Sequence, residues 1–186
     1  MFVRTERLTL RPGWIEDAPE VARAIAFRSV CDKLAQVPWP YTQADAESFL
    51  ASQQAEKRPA LSIFVHEGGA VRLIGAIGIH QDEDGQHELG YWLTPDAWGR
   101  GYATEAGHGV VRMARESLRL PRLVSGHFTD NPASGRVLRK LGFRPTGRIV
   151  PRYSRARGGN APCATFELDL CSEGVADNDP RTRMAA

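Results

Sequence analysis

Trp98-Gly99-Arg100-Gly101-Tyr102-Ala103-Thr104-Glu105-Ala106 is the stretch on which the fold of this chain turns. Before it, Glu88 to Leu93 reads as a strand. After it, Ala106, Val110, Met113, Ala114 and Leu118 recur at steps of three to four, the buried stripe of a long helix. Glycines between a strand and a helix predict a tight turn, and Gly101 lets the backbone approach a ligand with no Cβ in the way. The next amides, around residues 100 to 104, open the helix without internal partners and lie at the positive end of its dipole. They form a nest that suits a pyrophosphate, with Arg100 able to add charge. Spacing alone favours a bare strand-to-helix turn with no ligand. The stretch is no Walker A loop, because no Gly-Lys-Ser/Thr closes it. It is no dinucleotide fingerprint, because the third glycine and the following βαβ pattern are missing.

Outward from that turn, hydrophobic periodicity divides the rest of the chain. Thr5 to Arg11 alternates around Leu8 and Leu10 as a first strand. Asp17 before Ala18-Pro19 predicts an N-cap, and Val21, Ala22, Ile25 and Ala26 follow at helical spacing. Pro38-Trp39-Pro40-Tyr41 breaks the chain, and Thr42 is placed to cap a second helix through Phe49 and Leu50. Leu61 to Val65 and Val71 to Ile79 read as strands around the turn Glu67-Gly68-Gly69. Asp82-Glu83-Asp84-Gly85 is a turn before the fourth strand, Glu88 to Leu93. Beyond the long helix, Arg122 to Phe128 is a short strand, and Asn131-Pro132 opens a helix with Ala133, Val137, Leu138 and Leu141 on one side. Gly142 ends that helix as a left-handed cap. Strands near 143–150 and 164–170 follow. One domain over 1–171 is expected, with 172–186 as a polar, loosely held tail. Short turns make strands two to four antiparallel, and the long helix between the fourth and fifth makes that pair parallel. The expected class is α/β (α+β): a mixed, mainly antiparallel sheet of about six to seven strands flanked by about four helices.

Composition narrows the function classes without choosing among them. The chain has 186 residues, 42% hydrophobic and 25% charged, which excludes a mostly disordered chain. A net charge of +2 from 24 basic and 22 acidic residues predicts neither nucleic-acid nor membrane binding. No apolar run approaches the roughly 20 residues that span a bilayer. Met1 to Arg7 has no apolar signal core, so a cytoplasmic protein is expected. Cys31, Cys163 and Cys171 lack metal-type spacing and read as reduced, structural thiols.

Four blocks together carry a family resemblance: Leu89-Gly90-Tyr91-Trp92-Leu93, Trp98 to Ala106, Asn131-Pro132-Ala133-Ser134 and Lys140-Leu141-Gly142-Phe143. In order and spacing they resemble the GNAT acetyltransferases. Within that superfamily the chain is similar to the RimJ/RimL-like group, whose opening Glu-Arg-Leu-x-Leu-Arg strand is matched by Glu6 to Arg11. The resemblance covers Thr5 to about Leu170. It implies acetyl-CoA as donor and co-substrate, an amine as acceptor, and no metal. It places the pyrophosphate on the backbone of Gly99, Arg100, Gly101, Tyr102, Ala103 and Thr104, and the pantetheine arm near Trp92, Leu93 and Thr94, where the fourth and fifth strands splay apart. Trp98 stands where the family often has Gln or Arg, a departure that backbone binding tolerates.

Amine acetylation needs a neutral nitrogen, a polarised thioester carbonyl and a protonated leaving thiolate. Glu88 is the candidate base, since Gly90 and Trp92 share its strand face; an exposed strand carboxylate is the alternative. Glu105 reads first as a helix-dipole glutamate. An amide near Leu93 is suited to the oxyanion. Many GNAT enzymes place a tyrosine in the last helix where this chain has Leu138, and Ser134 is the nearest polar replacement, as thiol partner or as a first-turn serine. Asn131 is both an N-cap and a candidate for the pantetheine amides. His80, Asp82, Asp84, His87 and Glu88 read as a polar hairpin rather than a metal site. Arg148, Arg152, Arg155 and Arg157 read by default as a solvated loop, with a mobile arm toward an acidic acceptor, or toward ribosomal RNA near a protein target, as the alternative. The expected activity is acetyl transfer to a protein N-terminal α-amine, a polyamine or a small amine metabolite or drug. An acyl-CoA-binding sensor or interaction module without turnover is the alternative. Neither membrane nor direct nucleic-acid binding is expected, and a homodimer is a candidate assembly.

Overall fold

The computed structural model describes residues 2–56, 60–82 and 84–171; the expected tail at 172–186 and Glu83 of the acidic turn lie outside the described residues. Chain order gives β1 (Val3–Arg4), β2 (Leu8–Pro12), α1 (Ala18–Ile25), α2 (Arg28–Cys31), α3 (Gln43–Glu56), β3 (Ala60–Glu67), β4 (Ala70–Gln81) and β5 (His87–Leu93). Then come α4 (Tyr102–Glu116), β6 (Arg122–Phe128), α5 (Pro132–Lys140), β7 (Arg144–Ser154) and β8 (Gly159–Asp169). Among the described residues the strands make one sheet, in the order β1-β2-β3-β4-β5-β6-β8-β7. The mixed, mainly antiparallel sheet and the parallel pair after the fourth expected strand are as the sequence predicts. The structure adds the two-residue β1 and the single-turn α2, both too short to show a hydrophobic period.

Local chemistry explains most element ends. Thr42 caps α3 as expected, with Asp45 returning a bond to the Thr42 amide in a capping box. Gly142, at φ +92°, ends α5 in the left-handed region. Asp17 departs from its expected cap. Its carboxylate accepts from the Trp14 amide and pairs with Arg11, so the side chain is used before α1 begins.

Alternation along the central strands sorts the core into two layers. One face of the sheet packs Leu10, Ile63, Ile77 and Leu89 against Val110 of α4 and Leu138 of α5. The other face packs Phe64 and Leu73 against Val21 of α1 and Leu50 of α3. β4 and β5 pair in antiparallel register, setting His80 opposite Glu88, Gly78 opposite Gly90 and Ala76 opposite Trp92. β5 and β6 run parallel and register at Glu88 with Val124; beyond it, the described strands diverge. Both neighbours of α4 in the sheet are thus held firmly, while a gap opens between them. Among the described residues, no helix is long and apolar enough to cross a membrane.

Candidate active site

The gap between β5 and β6 exposes one edge of β5. The Thr94 amide donates to Ile74 O of β4 at 2.8 Å. By alternation, the backbone polar groups of Leu89, Tyr91 and Leu93 therefore face β6. Ser125 Oγ donates to Leu89 O at 2.8 Å, and the Trp98 indole donates to Leu93 O at 2.8 Å. The second bond ties the end of β5 to the start of the glycine turn and explains a tryptophan there. Leu93 and Thr94 are buried. Trp92 faces the other way, toward the cluster beneath α1 and α3.

The turn has the backbone a phosphate nest requires. Gly99 and Gly101 have φ of +73° and +83°, the left-handed region in which a side chain is strained. Gly101 is the N-cap of α4 and supplies no side chain to its first amides. A Cβ at Gly99 would meet nothing within 4 Å, so the space over the turn is open. The amides and the space fit the pyrophosphate of a nucleotide-bearing ligand. Arg100 is paired with Glu67, which also accepts from the Tyr102 hydroxyl. Glu105 accepts from Thr5 Oγ1 at 2.6 Å and from the Arg7 amide at 2.9 Å, fastening α4 to the chain before β2.

On the α1–α3 face of β5, Glu88 is 6% exposed. Arg152 of β7 clamps both of its oxygens, and His80 Nε2 stands 3.5 Å from Oε2. Burial pushes the Glu88 pKa up, but His80 and the Arg152 guanidinium outweigh burial and bring it down to about 2. Arg152 is held above its ordinary value, chiefly by its bonds to Glu88. The carboxylate is a fixed anion, and it takes up a proton only in strong acid.

On the opposite face, the Tyr91 hydroxyl lies 2.8 Å from Ser134 Oγ and donates to Ser134 O at 3.2 Å. Burial pushes this phenol up to about 12, against its bond to Ser134, so it keeps its proton at any working pH. Leu138, at the position the family resemblance gives to a tyrosine, is 0% exposed in the core. Sequence reasoning sought a phenol on α5 and missed this one on β5. Its signal was the same alternation that singled out Glu88, read on the other face. Asn131 caps α5, its Oδ1 accepting from the Ser134 amide at 3.4 Å.

These groups line one cleft of ≈ 880 Å³ that runs from the glycine turn past β5 to Val30, Tyr41 and Phe49 on the α1–α3 side. Among the described residues, no group of three or more His, Cys, Asp or Glu is placed to hold a metal. Asp82 Oδ1 accepts from the amides of Asp84 and Gln86, which makes that acidic stretch a hairpin turn. The arginine run is not a loop: Arg148 and Arg152 lie in β7, and three of the four arginines bind within the fold. Arg152 binds Glu88, Arg155 donates to Gln36 O, and Arg157 pairs with Asp130.

A mixed sheet splayed beside its parallel pair, with glycine-turn amides at the mouth of the gap, is a frame suited to a long, phosphate-bearing ligand. Residues 7–144 match the family described as the acetyltransferase (GNAT) domain. An uncharacterized N-acetyltransferase, p20 of Bacillus licheniformis, is 31% identical over 88% of this chain and 93% of its own length. The uncharacterized N-acetyltransferase YoaA of Bacillus subtilis is 40% identical over 46% of this chain and 49% of its own, so that likeness spans about half of each. Among solved structures, RimL, a ribosomal alpha-N-protein acetyltransferase in complex with coenzyme A, superposes with a TM-score of 0.75 at 15% identity, covering 93% of this chain and 100% of that one. The chain belongs to the GNAT acetyltransferases, and it is an acetyl-CoA-dependent N-acetyltransferase by family.

Proposed function

We propose that this enzyme transfers the acetyl group of acetyl-CoA to a primary amine by direct attack within a ternary complex. The observation that carries the reading is the gap beside β5, with the amide nest at its mouth and polar groups on both faces of one strand. In this reading the amides from Gly99 to Thr104 take the pyrophosphate. The pantetheine arm passes Leu93, Thr94 and Asn131, with Trp92 and Trp98 at its borders. The acceptor enters on the face of Glu88 and the thiol leaves on the face of Ser134. When the Tyr91 phenol turns its proton from Ser134 O to Ser134 Oγ, the serine proton is free to turn into the cleft and meet the developing thiolate. The Leu93 amide, on the gap-facing edge, is suited to the oxyanion.

The acceptor compartment favours an amine on an apolar body, whether a small molecule or a protein N-terminus. Among the described cleft residues Glu88 is the carboxylate, and Arg152 already neutralises it. A polycationic amine therefore finds little there to balance its charges, whereas Val30, Tyr41 and Phe49 offer apolar walls. An α-amine, with a reference pKa near 7.7–8.0, also reaches its neutral form more readily than a lysine near 10.4.

The test is acetyl-CoA-dependent thiol release against α-amino dipeptides, arylalkylamines and polyamines, beside thermal shift with acetyl-CoA. Stabilisation with release for one of the first two groups is expected. Stabilisation without release for any amine would leave a sensor, and absence of stabilisation would overturn the donor site as well.

A further inference from the structure

Resting on that function, we propose that His80 is the residue that receives the amine proton, and that Glu88 is a positioning residue held in place by Arg152. His80 and Glu88 are register partners on adjacent strands, so the pleat sets their side chains side by side on the acceptor face. Each oxygen of Glu88 accepts from the Arg152 guanidinium, so the carboxylate is held as a paired anion. It also offers an acceptor for His80 Nε2, at 3.5 Å. An anion beside Nε2 favours the tautomer with its hydrogen there, which leaves Nδ1 as the ring's open lone pair. Such a contact is commonly long in a free enzyme and tightens when substrate closes the site.

Two further observations put the His80 ring at the cleft. A Cβ on residue 90 would stand 3.6 Å from His80 Cε1 and 4.0 Å from Nδ1, so Gly90 leaves this edge of the ring uncovered. His80, Glu88, Gly90 and Arg152 all line the same cleft, and the His80 side chain is 45% exposed to solvent. The charged and titratable groups facing the pair are Glu88 from β5 and Arg152 from β7, with Cys163 of β8 behind the guanidinium. A neutral imidazole nitrogen accepts a proton, and an exposed ring can return it to water in each turnover.

The step balances without another reactant. The amine nitrogen forms its bond to the acetyl carbonyl carbon, and the carbon–sulfur bond breaks. Its electron pair leaves with the sulfur. The surplus proton on nitrogen passes to His80 Nδ1 while the Nε2 proton stays against Glu88. The thiolate is protonated separately, on the other face of β5.

Two measurements decide the matter. The first is a ¹⁵N–¹H correlation of the His80 ring at pH 8 in the intact protein, which needs no acceptor. The Nε2–H tautomer is expected, weakened in Glu88→Gln; an Nδ1–H ring would overturn the proposal. The second uses acetyl-CoA with 2-phenylethylamine and an alanyl dipeptide as probes. His80→Gln is expected to lower kcat/KM about 10²-fold and to flatten the acid limb that remains when kcat/KM is expressed per neutral amine, with stabilisation by acetyl-CoA retained. An unchanged acid limb in His80→Gln would overturn the proposal, whereas wild-type protein that binds acetyl-CoA and acetylates nothing would instead overturn the function it rests on, leaving the tautomer to judge His80.

Discussion

The Glu88–Arg152 contact shows how far a residue's chemistry is set by partners that sequence cannot display. Strand alternation placed Glu88 on the cleft face, but the arginine that clamps it lies 64 residues away. The guanidinium holds the candidate base as a paired anion with a lowered pKa. The energetic consequence has a definite sign. The folded pKa near 2 lies below the ordinary 4.5, so the stabilisation is complete above the unfolded value and disappears as pH falls from about 4.5 through 2. The shift corresponds to about 3 kcal/mol at neutral pH. Glu88→Gln is therefore expected to lower urea-unfolding stability by about that much at pH 7, and by progressively less toward pH 3. A gap between the two proteins that stays constant with pH would show that the carboxylate contributes shape alone. Tyr91 and Ser134 make the matching case on the other face. Tyr91→Phe and Ser134→Ala should each slow turnover about tenfold while sparing acetyl-CoA affinity. The double variant should lose little more, because both changes remove one shared hydrogen bond. Fully additive losses in kcat would separate the two roles.

Single elements were more legible than single contacts. The strand, turn and helix around Gly99 and Gly101 were readable because each signal is local: alternation in β5, two glycines, then a helical stripe. The cap at Thr42 and the stop at Gly142 were readable for the same reason. Asp17 shows the limit, since Arg11 and the Trp14 amide compete for the carboxylate that the helix would otherwise use. β1 and α2 escaped notice because two to four residues carry no period. At this scale the donor site is tested by Gly101→Val. A β-branched residue at φ +83° is strained by about 1–3 kcal/mol, and its Cβ would stand 3.5 Å from Arg7 Nη2 at the turn proposed to take the pyrophosphate. The variant is expected to keep its circular dichroism, melt at a lower temperature and lose stabilisation by acetyl-CoA. Normal acetyl-CoA affinity in a folded Gly101→Val protein would place the phosphates elsewhere.

Across the whole molecule, the acceptor wall and the donor side are joined by a clasp that no local pattern announces. Asp130 lies just before the cap of α5, on the donor side. It receives Lys33 Nζ at 2.9 Å and Arg157 Nη2 at 3.0 Å. Arg157 belongs to the β7–β8 turn, where the Arg155 amide donates to Ala35 O and Ser154 Oγ to Leu34 O. The residues after α2 are thus tied to both the hairpin and the start of α5. The arginine run read as a solvated loop because its partners are remote acids and carbonyls. Each ion pair is partly exposed and worth roughly 0–1 kcal/mol, so the clasp matters less for stability than for where the wall stands. Asp130→Asn removes the anion shared by two cations and leaves the neutral Arg155 and Ser154 bonds in place. The variant is expected to unfold within about 1 kcal/mol of wild type. Amide exchange should quicken over residues 32–36, and the KM for the amine should rise several-fold with kcat and acetyl-CoA affinity little changed. Salt provides the control: raising ionic strength toward 1 M shortens screening to about 3 Å and should move wild type toward the variant without moving the variant itself. Equal exchange rates and equal KM in the two proteins would show that the backbone bonds alone set the wall.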